Sequence, residues 1–182
     1  KSAEVVKMVT SLSDFFRTTL SKGHDYITVK EERTHIESYL EIQQFRYQDI
    51  LDYEIQMDEE IYGYIIPKLT LQPLVENALY HGIKNKRGKG KILITGKKQG
   101  DKIIFQVIDN GKGMTEEELN SLRKKMAGTD TGDEAKGFGV SNVNQRIKYY
   151  YGEEYGVFFE SKENEGTNAT IIIAAKNIQL LS

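Results

Sequence analysis

Two tight pairs of strands constrain this chain more than any other feature of its sequence. Residues 91–99 and 102–108 alternate apolar and polar side chains on either side of Gly100-Asp101, and residues 155–162 and 168–175 do so around a turn at 163–166. Period-two alternation marks strands with one covered face, and a two-residue loop containing glycine closes an antiparallel hairpin. Each pair therefore needs helices over one face. A further alternating run precedes them, with Leu51, Tyr53, Ile55 and Met57 on one side. From residue 51 the order is strand, helix, two strands, helix, loop, helix, two strands. That order predicts a two-layer α/β sandwich, because a doubly wound parallel sheet needs strict alternation of strand and helix.

The helices are legible from their periodicity and caps. Val5, Val6, Met8, Val9, Leu12, Phe15, Phe16 and Leu20 recur at helical spacing over residues 3–20. Their stripe is wider than a lone surface helix needs and suits a bundle or a dimer seam. Ser21–Gly23 ends that helix, with Gly23 at the position after the cap. Thr28-Val29-Lys30-Glu31 is a capping box opening a helix to about Tyr47, with Ile36, Tyr39, Leu40, Gln43 and Arg46 on one face. Pro67 stands before a helix expected over about 68–83, and Pro73 either kinks it or marks its true start. Short helices are expected at about 115–126 and 139–151. Residues 127–136 read as a loop, mobile for want of apolar side chains.

Composition excludes several kinds of chemistry. The 182 residues suffice for one domain with a helical appendage, and a net charge of −2 gives no footprint for nucleic acid or an anionic membrane. Without cysteine there are no disulfides, thiolate metal sites or cysteine nucleophiles. His24, His35 and His81 lie too far apart in sequence to suggest a histidine metal cluster, and His35, on a charged helix, reads as solvated. The longest aliphatic run, Ile171 to Ala175, is far short of a membrane span. There is no secretory leader and the chain starts at Lys1, which reads as a cytoplasmic piece of something longer. The basic loop from Lys84 to Lys91 lacks interleaved aromatics and follows a helix C-terminus, where cations are favoured; it reads as solvated.

Four short strings carry the possible chemistry. In LVENALYHG, Glu76 and Asn77 are either polar residues on a helix face or, for Asn77, an amide oxygen for Mg²⁺, which takes hard oxygen ligands. In DNGKGM, Asp109 ends a strand and a polar helix follows, while Gly111 and Gly113 remove side chains where a flat ligand would meet backbone. An ionised Asp only accepts, so it suits the exocyclic amine of adenine and opposes the carbonyl of guanine. In GFGVSN, Gly137 and Gly139 feed a helix N-terminus, an arrangement that attracts anions. It does not follow a strand, so a dinucleotide fold is set aside. A P-loop is absent too, since Phe138 stands where Lys is required. Gly166-Thr167 opens the last strand.

In this order and at these separations the four strings resemble the N, G1, G2 and closing Gly-Thr boxes of the GHKL superfamily, whose Bergerat fold binds ATP. IPKLTLQPLVENALYHGI, with VKEERTHIESYLEIQQFRYQD upstream, resembles the LytS/YesM-type sensor histidine kinases over nearly the whole chain. The resemblance implies an ATP-binding catalytic domain at residues 28–182 and, at 1–27, the tail of a dimerisation and phosphoacceptor region. It further implies that Asn77 ligates Mg²⁺ and that Asp109 accepts from the adenine amine, with Thr167 supporting that edge. Gly111 and Gly113 would admit the base. Gly137, Gly139 and the following helix N-terminus would hold phosphate under a lid at 114–136, and His81 would face the phosphates. Met114, Phe138, Val140 and Asn142 join the nucleotide set, and Glu76 either polarises the attacking group or is structural.

One departure matters. The hydrolytic branches of the superfamily carry a Glu four residues before the Asn, where this chain has Pro73. Proline does not activate water, so the expected chemistry is in-line attack on the γ-phosphorus by an imidazole of an upstream helix, in the same chain or a second copy. A response regulator would be the next partner, and the parent protein would sit in the plasma membrane. Rival readings are a GHKL serine kinase of anti-sigma type and a nucleotide-sensing dimerisation module. The stripe at 3–20 and YLEIQQFRY favour the histidine kinase.

Overall fold

A computed structural model describes residues 2–20, 25–84, 86, 88–128 and 138–177. The order is α1 (Ser2–Thr19), β1 (Tyr26–Thr28), α2 (Val29–Arg46), β2 (Leu51–Met57), β3 (Ile65–Pro67), α3 (Gln72–Asn77), β4 (Gly90–Gln99), β5 (Lys102–Asp109), α4 (Glu116–Met126), α5 (Phe138–Tyr151), β6 (Gly156–Lys162) and β7 (Gly166–Ala174). A five-stranded sheet runs β2-β4-β5-β7-β6. Its inner face is lined by Ile92, Ile94, Ile103, Phe105, Val107, Ala169, Ile171 and Ile173, each nearly or wholly buried. Leu74, Val75 and Leu79 of the α3 segment, Val140, Val143 and Ile147 of α5, and Ile36 and Leu40 of α2 belong to the same core. This is the expected two-layer sandwich.

Both hairpins form, β4 with β5 and β6 with β7. The central β5–β7 pairing is antiparallel and sets Asp109 opposite Thr167. The edge strand β2 is parallel to β4, Leu51 opposite Gly90. Parallel neighbours need a crossover, and here α3 and its extension supply it. A second, two-stranded sheet pairs β1 with β3, Ile27 opposite Ile66. At three residues each, these strands are too short to leave a pattern in the sequence.

The α2 capping box is present in both directions: Glu31 N–H donates to Thr28 Oγ1 at 3.2 Å, and Thr28 N–H donates to Glu31 Oε2 at 2.7 Å. The helix expected over 68–83 begins instead at Gln72, with Pro73 in its first turn, where a missing N–H costs nothing. Before it, Leu69 takes a positive φ of 59°. The wholly buried Glu32 of α2 holds that turn, accepting from Leu69 N–H at 3.1 Å and Leu71 N–H at 2.7 Å. Arg146 of α5 donates to the Leu69 carbonyl at 3.1 Å. So α2 and α5 together fix where α3 starts.

His35 is not solvated: it is fully buried between α1 and α3. The surface of α2 that looks charged in sequence is covered by α1, through Phe15 on His35 and a hydrogen bond from Ser11 to Glu41. The outer side of α1 keeps Val5, Val6 and Val9 more than half exposed, as is Leu20 just past its end. The basic loop is partly anchored, since Lys86 Nζ donates to the Asn110 carbonyl at 2.7 Å.

Candidate nucleotide site

The site starts with a change of helix. After Asn77 the chain continues from Ala78 to Ile83 as a π-helix, with Lys84 N–H reaching the Leu79 carbonyl at 2.9 Å. A π-helical turn is rare and concentrates at functional sites. It brings Asn77, Ala78, His81 and Gly82 to one wall of a cleft of about 270 Å³. Val107 and Asp109 of β5, Thr167 and Ala169 of β7, and Phe159 of β6 form the floor; Gly113, Met114 and Leu122 line the side toward α4. Lys112 and Glu118 also line the cleft, and its apolar side chains beside the buried Asp109 carboxylate suit a flat ring bearing an amine.

Asp109 is 5% exposed. Gly111 N–H donates to its Oδ1 at 2.8 Å, and the Thr167 N–H also bonds to the carboxylate. Burial pushes its pKa up to about 6, against the lowering effect of those two donors and of the Lys86 charge.

Glycine is required around it for close approach of protein to protein. A methyl group on Gly82 would meet Asp109 Oδ1 at 2.5 Å, and one on Gly111 would strike Gly82. Gly113 and Gly166 have φ of 65° and 104°, and a side chain on either would run into a backbone carbonyl, of Lys162 and Asp109 respectively. Ser161 ties the strands behind this corner. It donates to the Gly166 carbonyl at 2.8 Å, accepts from Met114 N–H at 2.9 Å and shares a 2.8 Å hydrogen bond with Thr167 Oγ1.

The sequence strings are therefore only partly brought together. Asn77, His81, Asp109, Gly113, Met114 and Thr167 line the cleft, and Gly111 braces Asp109 from behind. Glu76 points elsewhere, accepting from Gln72 Nε2 at 2.9 Å. Phe138 opens α5, Gly139 lies exposed beside Pro73, Val140 is buried in the core and Asn142 is exposed. Gly137 and most of the loop expected at 127–136 lie outside the described residues, as does His24. Sequence reasoning passed over Gly82 and Ser161. Gly82 closes the LVENALYHG string, but its need to be glycine comes from Asp109, which is remote in sequence.

Among the described residues no cluster of three or more His, Cys, Asp or Glu could hold a metal, and no helix is long and apolar enough to cross a membrane. A cation here would have Asn77 Oδ1 with ligand and water oxygens, a set compatible with Mg²⁺.

Residues 67–177 match the family model described as histidine kinase-, DNA gyrase B- and HSP90-like ATPase. The chain belongs to that family. Residues 1–51 match a histidine kinase model. The sensor histidine kinase YesM of Bacillus subtilis (strain 168) is 34% identical over 96% of this chain. The sensor protein LytS of Staphylococcus saprophyticus is 29% identical over 98% of it. The chain spans 28% and 30% of the lengths of these two relatives. The catalytic domain of the histidine kinase ThkA superposes with a TM-score of 0.62 at 20% identity, over 83% of this chain and 97% of that one. Residues 67–177 are thus the family's ATPase-type catalytic domain as sensor histidine kinases carry it.

Proposed function

We propose that this domain binds Mg-ATP and donates the γ-phosphoryl group to a histidine on a helix that precedes α1 in the parent protein. One observation carries the reading: a nearly buried carboxylate, Asp109, shares one largely apolar cleft with Asn77 and His81. The apolar floor takes the adenine ring and Asp109 accepts from its amine. Thr167 supports that edge through its N–H to the same carboxylate. Asn77 offers its amide oxygen to Mg²⁺, which neutralises phosphate charge when bound. His81 faces the phosphates, and the α5 N-terminus with Gly137 and Gly139 receives them. Gly111 and Gly113 keep this corner free of side chains.

No residue of this chain needs to act as a strong base. The attacking imidazole nitrogen bonds to phosphorus as the bond to the bridging oxygen breaks, and ADP leaves; positioning and charge neutralisation supply the rate. Pro73, where hydrolytic relatives carry Glu, is consistent with transfer in place of hydrolysis. Residues 1–27 are then the tail of the dimerisation and phosphoacceptor region, and 28–182 the nucleotide domain. A response regulator takes the phosphoryl group next. The structure of ThkA with the response regulator protein TrrA, at a TM-score of 0.59, offers a precedent for such an assembly. On this reading the parent protein sits in the plasma membrane with this domain in the cytoplasm.

The experiment is phosphotransfer from labelled ATP in a longer protein that includes the upstream helix. Acid-labile, base-stable label, lost in Asn77→Ala, supports the reading. Label on serine supports the anti-sigma kinase type, and nucleotide binding without transfer supports a sensing module.

A further inference from the structure

The buried His35 has no place in the nucleotide chemistry, yet its contacts lead from α1 to the residue next to Asn77. Its ring stacks on Phe15 of α1, with centroids 4.7 Å apart and planes at 19°. On its other side Nε2 lies 2.6 Å from Gln72 Oε1, in the first turn of α3. Gln72 Nε2 in turn donates to Glu76 Oε1 at 2.9 Å. The donors fix the direction of the chain. Gln72 spends its amide N–H on Glu76, so its oxygen must accept, and the imidazole must carry its proton on Nε2. Burial holds the His35 pKa down, consistent with a neutral ring. Nδ1 makes no hydrogen bond of good geometry among the described residues, although the Phe15 backbone lies within its reach.

Burying a polar imidazole is costly, whereas an apolar residue would fill the same space. What the imidazole adds over an apolar residue is the directed N–H to Gln72. The next turn of α2 points the same way. Tyr39 packs at 6.2 Å from Phe15 and lies within electrostatic reach of Glu76 and Tyr80. Phe15 therefore touches the two α2 side chains that abut the Gln72–Glu76 turn. The opposite side of α1 is exposed at Val5 and Val9, so among the described residues that helix is held from the α2 side.

We infer that His35 is a positioning residue: through Gln72 and Glu76 it sets the attitude of the Asn77 turn according to where α1 sits, coupling the upstream helix to the nucleotide site. The inference rests on the kinase reading above. A shift or rotation of α1 moves Phe15, the imidazole follows its stacking partner, and the hydrogen bond to Gln72 tightens or breaks. A nucleotide that reorders the Asn77 turn would be felt along the same hydrogen bonds at His35.

The test uses the protein with its upstream helix. His35→Phe keeps the stack on Phe15 and removes the donor; His35→Gln restores an N–H at the Nε2 position. Expected for His35→Phe is Mg-ATP affinity within about twofold of wild type and a phosphoryl-transfer rate at saturating ATP lower by about tenfold or more, as misplacement of reacting groups commonly costs. His35→Gln should recover most of that rate. Equal transfer rates in wild type and His35→Phe, or affinity and rate falling together without rescue by Gln, would overturn the inference. A second readout does not need transfer. With ¹⁵N-histidine labelling, Mg-ATP should shift the His35 Nε2–H resonance in wild type and leave it in place in Gln72→Ala. An unmoved wild-type resonance overturns the relay even if the kinase reading stands. Transfer absent from wild type, with the shift present, overturns the kinase reading and leaves the relay. If Mg-ATP does not bind, both fall.

Discussion

Gly82 and Asp109 are packed so closely that a methyl group on the glycine would stand 2.5 Å from Oδ1 of the carboxylate. The π-helical turn at 78–83 delivers Gly82 to that place, and its carbonyl accepts from Lys112 N–H at 3.3 Å. The carboxylate is thus aimed by a backbone surface, with no side chain on that flank.

Gly82→Ala should displace Asp109 and weaken Mg-ATP binding by tenfold or more, at a stability cost of about 1–3 kcal/mol from overpacking. Gly63→Ala is the control, because a methyl there meets nothing within 4 Å. Calorimetric affinities and thermal midpoints of both variants check this. Wild-type ATP affinity in Gly82→Ala would mean that Asp109 is not a ligand-facing group.

Asp109→Asn should weaken ATP by about tenfold to a hundredfold, since a charged acceptor is lost and an amide donor faces the adenine amine. GTP should bind wild type poorly, its carbonyl opposing the carboxylate. Titrations of both nucleotides into both proteins decide it, and tight GTP binding by wild type refutes the adenine assignment.

Two buried carboxyls make both binding and stability depend on pH. Asp109 is raised from 3.8 to about 6 and Glu32 from 4.5 to about 7, each chiefly by burial. The folded protein therefore holds more protons than the unfolded chain between these values, so stability should fall as pH rises from about 4 to about 7. Denaturant midpoints across that range in wild type and Asp109→Asn should show a shallower fall in the variant. Mg-ATP affinity should move the opposite way. A proton on Asp109 removes the charged acceptor that the adenine amine would meet, so affinity should drop below about pH 6.

Glu32→Ala leaves the buried N–H groups of Leu69 and Leu71 without their acceptor, each worth about 1–3 kcal/mol. A loss of about 3 kcal/mol or more is expected in denaturant titration, with partial recovery in Glu32→Gln, which keeps one oxygen. A loss below about 1 kcal/mol would show that the turn before α3 is held by Arg146 instead.

Residues 1–182 alone should bind Mg-ATP without labelling themselves. His35 is buried and His81 lines the cleft. His24 stands in a Ser-Lys-Gly-His-Asp stretch, not on the upstream helix to which the resemblance assigns the acceptor. Acid-labile label on this chain would contradict the upstream acceptor.

The sequence alone determined whatever depends on near neighbours. Strand alternation, the turn at Gly100-Asp101 and the capping box at Thr28–Glu31 report themselves locally, because a period or a cap is completed within a few residues. The four strings likewise singled out Asn77, Asp109, Gly113 and Thr167, which the structure brings to one cleft. Only tertiary structure decided the rest. The helix start at Gln72 depends on Glu32 some forty residues earlier, and the parallel place of β2 beside β4 depends on a crossover. The need for glycine at 82 arises from Asp109. Above all, His35 looks solvated on a charged helix until α1 lies over it. Such positions are fixed by partners remote in sequence, and burial and hydrogen-bond satisfaction come into being only when the chain has closed.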